Sequence, residues 1–135
     1  MEKVKRMKHF SAQVDSFFII IETLFSRVGS KDGIIRIRTY KNRFSIFKAN
    51  NIRMIIGKFW ESIKPFIKHI KEKDEKFFLD NDLDSLGLKA DVDSDATKLK
   101  HIWNDKKITH EDKEKLWDII QVLVEDARFV CETCA

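Results

Sequence analysis

Residues that form tight turns are scarce in this chain, which holds four glycines and one proline among 135 residues. Folds made of short strands need such residues at almost every connection, because tight turns depend on the backbone conformations that glycine and proline favour. The composition therefore favours helices over strands. The length is that of one domain. We predict an all-α fold with a single helical domain over residues 1–135.

Cysteines and long apolar runs are equally scarce. The only two cysteines, Cys131 and Cys134, form a lone CxxC near the end of the chain, whereas a structural zinc site needs four ligands and redox CxxC motifs begin a helix beside a strand. We read Cys131 as a buried thiol on an apolar helix face. The apolar run Phe17–Ile21 is too short to cross a bilayer, and the charged first residues do not resemble a signal peptide. These features predict an intracellular protein with no membrane span.

Motifs for catalysis and for cofactors are also missing from the sequence. The glycines are isolated and precede no GK[ST], and no GxSxG occurs. Asp80, Asp82 and Asp84 alternate as in a calcium loop, but Ser85 replaces the required glycine and Asp91 replaces the bidentate glutamate. The loop could bind a divalent cation weakly. We expect no enzyme, no cofactor, no metal site and no small-molecule substrate.

Charge is divided unevenly along the chain. Residues 1–71 carry 16 Lys and Arg against five Asp and Glu, and residues 72–135 carry ten against 17. The simpler interpretation is that the two halves face each other within the fold. The alternative is that the basic half binds nucleic acid. The cations that this alternative assigns to the contact are Arg36, Arg38, Lys41, Arg43 and Lys48.

Residues 2–28 read as one long helix with a heptad pattern. An apolar residue recurs every seven positions, at Met7, Val14, Ile21 and Val28. A second series lies three positions after the first three of these, at Phe10, Phe17 and Leu24. Phe18 and Phe25 make the resulting apolar stripe wider. A coiled-coil homodimer through residues 4–28 is one interpretation. The wide stripe favours the other, an ordinary helix of a bundle. Gly29 is expected to end this helix.

The middle of the chain predicts two further helices after a turn at residues 30–33. Residues 34–49 fit two patterns. Part of the segment alternates apolar and polar residues as a strand does, whereas Ile37, Tyr40, Phe44 and Phe47 are spaced as on one side of a helix. We favour the helix. Asn50 and Asn51 are expected to break the chain there. Residues 51–79 then form an amphipathic helix. Pro65 either kinks it, which we favour, or opens a second helix.

The last third predicts a short helix over residues 95–103 and a long final helix. Thr109 and Asp112 have the spacing of a capping box that starts the final helix. The prediction is thus a bundle of about five helices with a long N-terminal heptad helix and a kinked central helix. Its large apolar side chains are expected to meet in one core. They are Phe59, Trp60, Ile63, Phe66, Phe77, Phe78, Trp103, Leu116, Trp117 and Leu123.

Two sequence blocks carry a resemblance to a known group of proteins. They are FWESIKPFIKHIKEKDEKFFLDNDL and ITHEDKEKLWDIIQVL, with Trp60, Pro65 and Phe77–Leu79 in the first and Lys113 and Trp117 in the second. In these blocks the chain resembles small uncharacterised helical proteins of large nucleocytoplasmic DNA viruses, which infect amoebae and algae. The resemblance covers about the last two thirds of the chain. It implies a viral origin, in the host cytoplasm or the virion, and no particular reaction.

Two functions follow as hypotheses. The first is a non-enzymatic viral helical interaction protein, a component of the virion or the viral factory, whose partner is another protein or a second copy of itself. The second is a DNA- or RNA-binding protein that uses the basic N-terminal half. No helix-turn-helix, zinc finger or RNA-binding signature accompanies those cations.

Overall fold

The computed structural model describes residues 2–76 and 102–132. Within these residues the chain forms α1 (Glu2–Arg27), α2 (Lys31–Ile63), a 3-10 turn (Lys64–Phe66), the short helix α3 (Ile67–Lys71) and α4 (His110–Glu132). The all-α prediction is confirmed for the described residues, which contain no strand. Three helices are long, and the predicted number of about five is not confirmed. Most of the helix predicted at 95–103, together with Phe77, Phe78 and the acidic loop at 80–91, lies outside the described residues.

The three long helices pack against one another as a bundle, and α1 makes extensive contacts with both of the others. Ion pairs fix its direction relative to α2, since Asp15 contacts Lys48 at 3.2 Å and Glu22 contacts Arg38 at 2.6 Å. These pairs require α1 and α2 to be antiparallel. Arg27 at the end of α1 pairs with Asp112 at the start of α4, so α4 is also antiparallel to α1.

Among the described residues, the core consists of two clusters rather than the single one predicted. The first lies between all three long helices and α3, and the second lies near the end of α1 and the starts of α2 and α4. The buried residues of the first are Phe10, Ile56, Trp60, Ile70, Leu123, Val124, Ala127 and Val130, and those of the second are Ile21, Leu24, Phe25, Ile37, Ile108 and Leu116. The predicted core residues are therefore divided, with Trp60 in one cluster and Leu116 in the other.

The heptad residues of α1 are used inside the chain. Phe10, Ile21, Leu24 and Phe25 are buried, and the other members of the stripe pack against the two clusters. This burial agrees with an ordinary bundle helix. The homodimer through residues 4–28 stays a prediction, and α1 would have to build it on residues of its other sides, because the heptad stripe is already covered.

The start of α2 differs from the predicted turn at residues 30–33. Ser30 is the N-cap, and its hydroxyl accepts a hydrogen bond from the Gly33 amide at 3.2 Å. Gly33 is buried within the first turn, where the ring of Phe25 lies against its α-carbon. The predicted turn is wrong because a serine cap and a glycine packed on a ring start a helix here. Gly29, with φ of 77°, ends α1 as predicted.

α2 is kinked at Asn51, where Asn50 and Asn51 were predicted to break the chain. Helical backbone hydrogen bonding continues through both residues, and only Asn51 leaves the helical conformation, with φ of −130° and ψ of 17°. The helix resumes because Ile52, Ile55 and Ile56 pack against or within the first core cluster. The predicted break is thus present as a kink, and the packing of the following residues continues the helix beyond it.

Pro65 marks a reversal of the chain, and the predicted kinked central helix is not confirmed. The α-helix stops at Ile63, and a 3-10 turn contains Pro65 before α3 begins. Gln121 of α4 donates to the carbonyl of Ile70 at 3.0 Å, and Lys73 contacts Glu114 at 2.5 Å. The chain after Pro65 thus runs from Gln121 towards Glu114, that is, towards the start of α4. α3 is therefore antiparallel to α4.

The predicted capping box at the start of α4 is confirmed. The Asp112 amide donates to the Thr109 hydroxyl at 3.1 Å, and the Thr109 amide donates to the Asp112 carboxylate at 2.8 Å. Burial raises the pKa of Asp112, but the hydrogen bonds from Thr109 and Arg27 outweigh it and hold the pKa below its ordinary value. The same carboxylate therefore caps α4 and ties it to the end of α1.

Asp126 is a fully buried carboxylate on α4, and α1 supplies both of its partners. Its relative exposure is 0%, and its oxygens lie 3.1 Å from Nη1 of Arg6 and 2.5 Å from Nδ1 of His9. The Arg6 guanidinium also lies 4.8 Å from the centre of the Phe129 ring. A buried carboxylate is tolerated when it is paired and hydrogen-bonded, so this contact joins the two helices at one register.

None of the helices in the described part combines the length and apolarity needed to cross a membrane.

The two helical glycines of α2 predict opposite effects of alanine. A β-carbon at Gly33 would overlap the ring of Phe25, whereas a β-carbon at Gly57 meets nothing within 4 Å. We expect Gly33→Ala to lower the free energy of unfolding by about 1–3 kcal/mol through overpacking. Gly57→Ala should raise it by about 0.5–1 kcal/mol through helix propensity. Urea unfolding followed by circular dichroism measures both, and equal effects would contradict the close approach of α1 and α2.

Removing the Asp126 carboxylate should destabilise the bundle. We expect Asp126→Ala to lower the free energy of unfolding by about 1–3 kcal/mol, because charged hydrogen bonds to Arg6 and His9 are lost while both partners can reach solvent. The neighbouring exposed carboxylate provides the control, and Glu125→Ala should change stability by less than about 0.5 kcal/mol. Urea unfolding measures both variants. An equal loss of unfolding free energy in the two would show that the buried contact stabilises the fold no more than an exposed carboxylate does.

Candidate interaction surface

The outward side of α2 carries large apolar side chains that the bundle does not cover. Ile46 is 74% exposed, Ile35 is 64% exposed and Phe47 is 54% exposed, and Tyr40 is exposed as well. Single exposed apolar residues are ordinary, but several on one part of one helix indicate a surface that another molecule covers.

Helical geometry explains why these residues face outward. Ile37 and Phe44, seven residues apart, are the buried residues at the centre of α2's inward side. Residues at intervals of four and three on the opposite side are Ile35, Thr39, Asn42 and Ile46, and all of them are exposed. Two arginines lie beside this row, and two exposed aromatic residues lie next to the arginines, towards the inward side of α2. We call these eight residues the outer face of α2, and they are Ile35, Arg36, Thr39, Tyr40, Asn42, Arg43, Ile46 and Phe47.

Three of the five cations predicted to bind nucleic acid are paired within the chain. Arg38 contacts Glu22 at 2.6 Å, Lys48 contacts Asp15 at 3.2 Å and Arg36 contacts Asp32 at 3.6 Å. Two of these pairs join α2 to α1, so these cations help to hold the bundle together. The prediction that basic and acidic halves face each other describes only some of the contacts, because all three of these acids belong to the basic half.

The other two predicted cations have a different environment. Among residues 2–76 and 102–132, no carboxylate lies within 4 Å of the charged group of Lys41 or Arg43. The guanidinium of Arg43 lies 5.9 Å from the centre of the exposed Tyr40 ring. An arginine beside an exposed tyrosine is the combination enriched at protein interfaces. The structure therefore places Arg43 on the outer face of α2. Lys41 lies next to the buried Ile37 and Phe44 and is half-buried.

The sequence pattern alone did not separate the two sides of α2. Ile37, Tyr40, Phe44 and Phe47 were predicted to share one stripe, whereas the structure buries only Ile37 and Phe44 and exposes Tyr40 and Phe47. A signal was present in the sequence. The buried pair and the exposed pair each repeat every seven residues, and the exposed pair lies beside arginines at positions 36 and 43. The arginines are the part of the pattern that indicated the outer face, because Tyr40 and Phe47 follow Ile37 and Phe44 after three residues and lie on a neighbouring side of the helix.

The described part of the chain also contains histidine–carboxylate pairs and the free thiol of Cys131. No set of three or more His, Cys, Asp or Glu side chains there could hold a metal ion. His69 contacts Asp74 at 2.9 Å, far from the outer face of α2 along the chain. Burial raises the pKa of the Cys131 thiol, which makes it a poor nucleophile at neutral pH.

An open depression lies between the second half of α2 and the end of α4. Trp60, Glu61, Lys58 and Cys131 are among the residues that line it. Its polar groups lie on the open side of the helix and are not enclosed, unlike those of a small-molecule site. The outer face of α2 is therefore the stronger candidate for a functional surface.

Comparison with known proteins gives no match. No family model, no curated protein and no solved structure matches this chain. Any function must therefore be argued from the molecule's own surface and charge.

Proposed function

We propose that this chain is a non-enzymatic helical interaction protein, and that the outer face of α2 binds an acidic partner protein. The observation that carries the proposal is the exposure of Ile35, Ile46 and Phe47 beside Arg43 on one side of one helix. Apolar side chains contribute binding free energy when a partner removes them from water. Aromatic residues and arginine are the types that most often dominate such contacts.

The charge of this region indicates the chemistry of the partner. Residues 31–71 contain 11 Lys and Arg against two Asp and Glu. A surface of this charge attracts acidic molecules and repels basic ones, which raises the rate of encounter with an acidic partner. Exposed isoleucines on the same side require that the partner also has apolar groups, since their burial is favourable only against an apolar surface.

The proposed setting rests on the sequence resemblance alone. The two blocks that include Trp60 and Trp117 resemble small helical proteins of large nucleocytoplasmic DNA viruses. We accordingly place this interaction protein in the virion or in the viral factory of the host cytoplasm. A partner from either location would fit the proposal.

A photo-crosslinking amino acid at position 46 tests this proposal directly. In an extract of cells that contain the protein, it should crosslink to a specific acidic protein, and that protein, once purified, should bind the full chain. Ile46→Asp should weaken the purified complex at least about tenfold, because a charge replaces a buried apolar contact. Binding is measured by isothermal titration calorimetry.

The matched control for this experiment is an exposed isoleucine on α1. Ile19 is 51% exposed and faces away from the core, so the same crosslinker at position 19 and the variant Ile19→Asp report non-specific effects. The proposal is wrong if position 46 yields no partner that binds after purification, or if Ile46→Asp and Ile19→Asp weaken binding equally.

Nucleic-acid binding by the basic half is the second candidate. The observation that favours it is that Lys41 and Arg43 have no carboxylate within 4 Å in the described part of the chain, on the most basic helix. Phosphate groups would be suitable counter-charges for both side chains. The internal pairing of Arg36, Arg38 and Lys48 reduces the charge that remains for a phosphate backbone.

A salt titration distinguishes this candidate from the first. If nucleic acid is the ligand, the affinity for a short DNA duplex should fall steeply with salt, and Lys41→Glu with Arg43→Glu should weaken it about tenfold or more at low salt. Ile46→Asp should have a smaller effect, because phosphate contacts need no apolar group. Fluorescence anisotropy measures both affinities. No detectable binding at low salt would exclude this candidate.

A further inference from the structure

The outer face of α2 has the spacing of a helix-binding seam. Ile35, Thr39, Asn42 and Ile46 are separated by four, three and four residues, which is the a/d spacing that lets one helix pack along another. All four are exposed, and they lie opposite the buried Ile37 and Phe44 of the same helix. The row therefore runs along the length of α2, on the side that faces away from the core.

The polar members of this row are compatible with being covered. The Thr39 hydroxyl donates a hydrogen bond to the carbonyl of Ile35 at 2.9 Å. This bond is kept when a partner covers Thr39, so the hydroxyl group does not lose its acceptor on leaving water. Asn42 lies between the two isoleucines. An asparagine in such a row lowers the affinity of a helix pair but selects one register, because only an aligned polar group can pair with it.

Both edges of the row carry arginine. Arg36 and Arg43 follow one edge, seven residues apart, and Arg38 lies on the other edge. Residues at these edges form ion pairs with a helix packed on the row. Arg36 and Arg38 already contact acids of this chain, whereas Arg43 lies beside the Tyr40 ring and forms no ion pair with another described residue. Arg43 is consequently the edge cation that a partner can pair with at least cost to the fold.

The edge charges disfavour a second copy of this chain as the occupant. Two copies packed through this row would bring arginine edges together, and like charges in that position are destabilising. A nucleic acid would satisfy Arg43 but would leave Ile35 and Ile46 without an apolar surface to contact. The occupant must therefore be both acidic and apolar along a single helix side.

We infer that the outer face of α2 binds an acidic amphipathic helix, with apolar residues at the a and d positions and Asp or Glu at the flanking e and g positions. The partner helix would lie along α2 between residues 35 and 47, with its apolar row on Ile35 and Ile46 and an acidic side chain beside Arg43. This inference rests on the proposed function and adds the fold and charge of the partner segment.

Synthetic peptides provide the probe. One peptide of about three heptads has leucine at a and d and glutamate at e and g, a second has lysine at e and g, and a third is a scrambled form of the first. Against the full chain, the acidic amphipathic peptide should bind at least about tenfold more tightly than either of the others. Fluorescence anisotropy at two salt concentrations measures the three affinities.

Charge exchange and an apolar variant then locate the contact. Arg43→Glu should weaken binding of the acidic peptide and strengthen binding of the lysine peptide, so that the difference between their affinities becomes smaller or changes sign. Ile46→Asp should weaken the acidic peptide about tenfold or more, whereas Ile19→Asp should leave it unchanged. Circular dichroism of each variant checks that the helical fold is retained, as expected for substitutions at exposed positions.

The outcomes separate this inference from the proposed function. Equal affinity for the acidic and scrambled peptides, or no effect of Ile46→Asp, would overturn the helical partner. If a purified crosslinked partner nevertheless depends on Ile46, the proposed interaction surface stands and only the helix is wrong. Binding of DNA through Arg43, with no binding of any peptide and no purified partner protein that depends on Ile46, would overturn both.

Discussion

The contact on which the bundle most depends is the buried carboxylate of Asp126. Its partners Arg6 and His9 are three residues apart on one side of α1. A shift of either helix by one residue would leave a buried charge unpaired, which costs more free energy than most apolar rearrangements. We therefore expect the contact to favour one register of α1 on α4, in the way that a polar group selects the register of a coiled coil.

That register determines how the apolar surface of α1 is used. Phe10, next to His9, enters the first core cluster, and Leu24 and Phe25 enter the second, close to the Arg27–Asp112 pair at the other end. The whole heptad stripe of α1 is thereby covered by α2 and α4. Because α2 contributes only one side to this core, Ile35 and Ile46 on its opposite side are left facing solvent among polar residues.

Sequence patterns predicted a structural feature well when all the residues that determine it lie within one helix turn. The Thr109–Asp112 capping box and the Gly29 helix end are examples, since each depends on residues within four positions. Asp126 could not be distinguished from the other acids of α4, because Arg6 and His9 are 120 and 117 residues away in sequence. The kink of α2 at Asn51, by contrast, was predicted from the neighbouring asparagines alone.

The candidate surface was predicted only as a set of residue types. The sequence indicated cations on α2, but their pairing with Asp15 and Glu22 depends on how α1 crosses α2 and could not be deduced from spacing. These pairs have two consequences. They hold α2 in the bundle, and they neutralise much of the charge that a polyanion would need. What remains outward is Arg43 among exposed apolar groups, so affinity must come from apolar contact, with charge selecting the partner and its orientation.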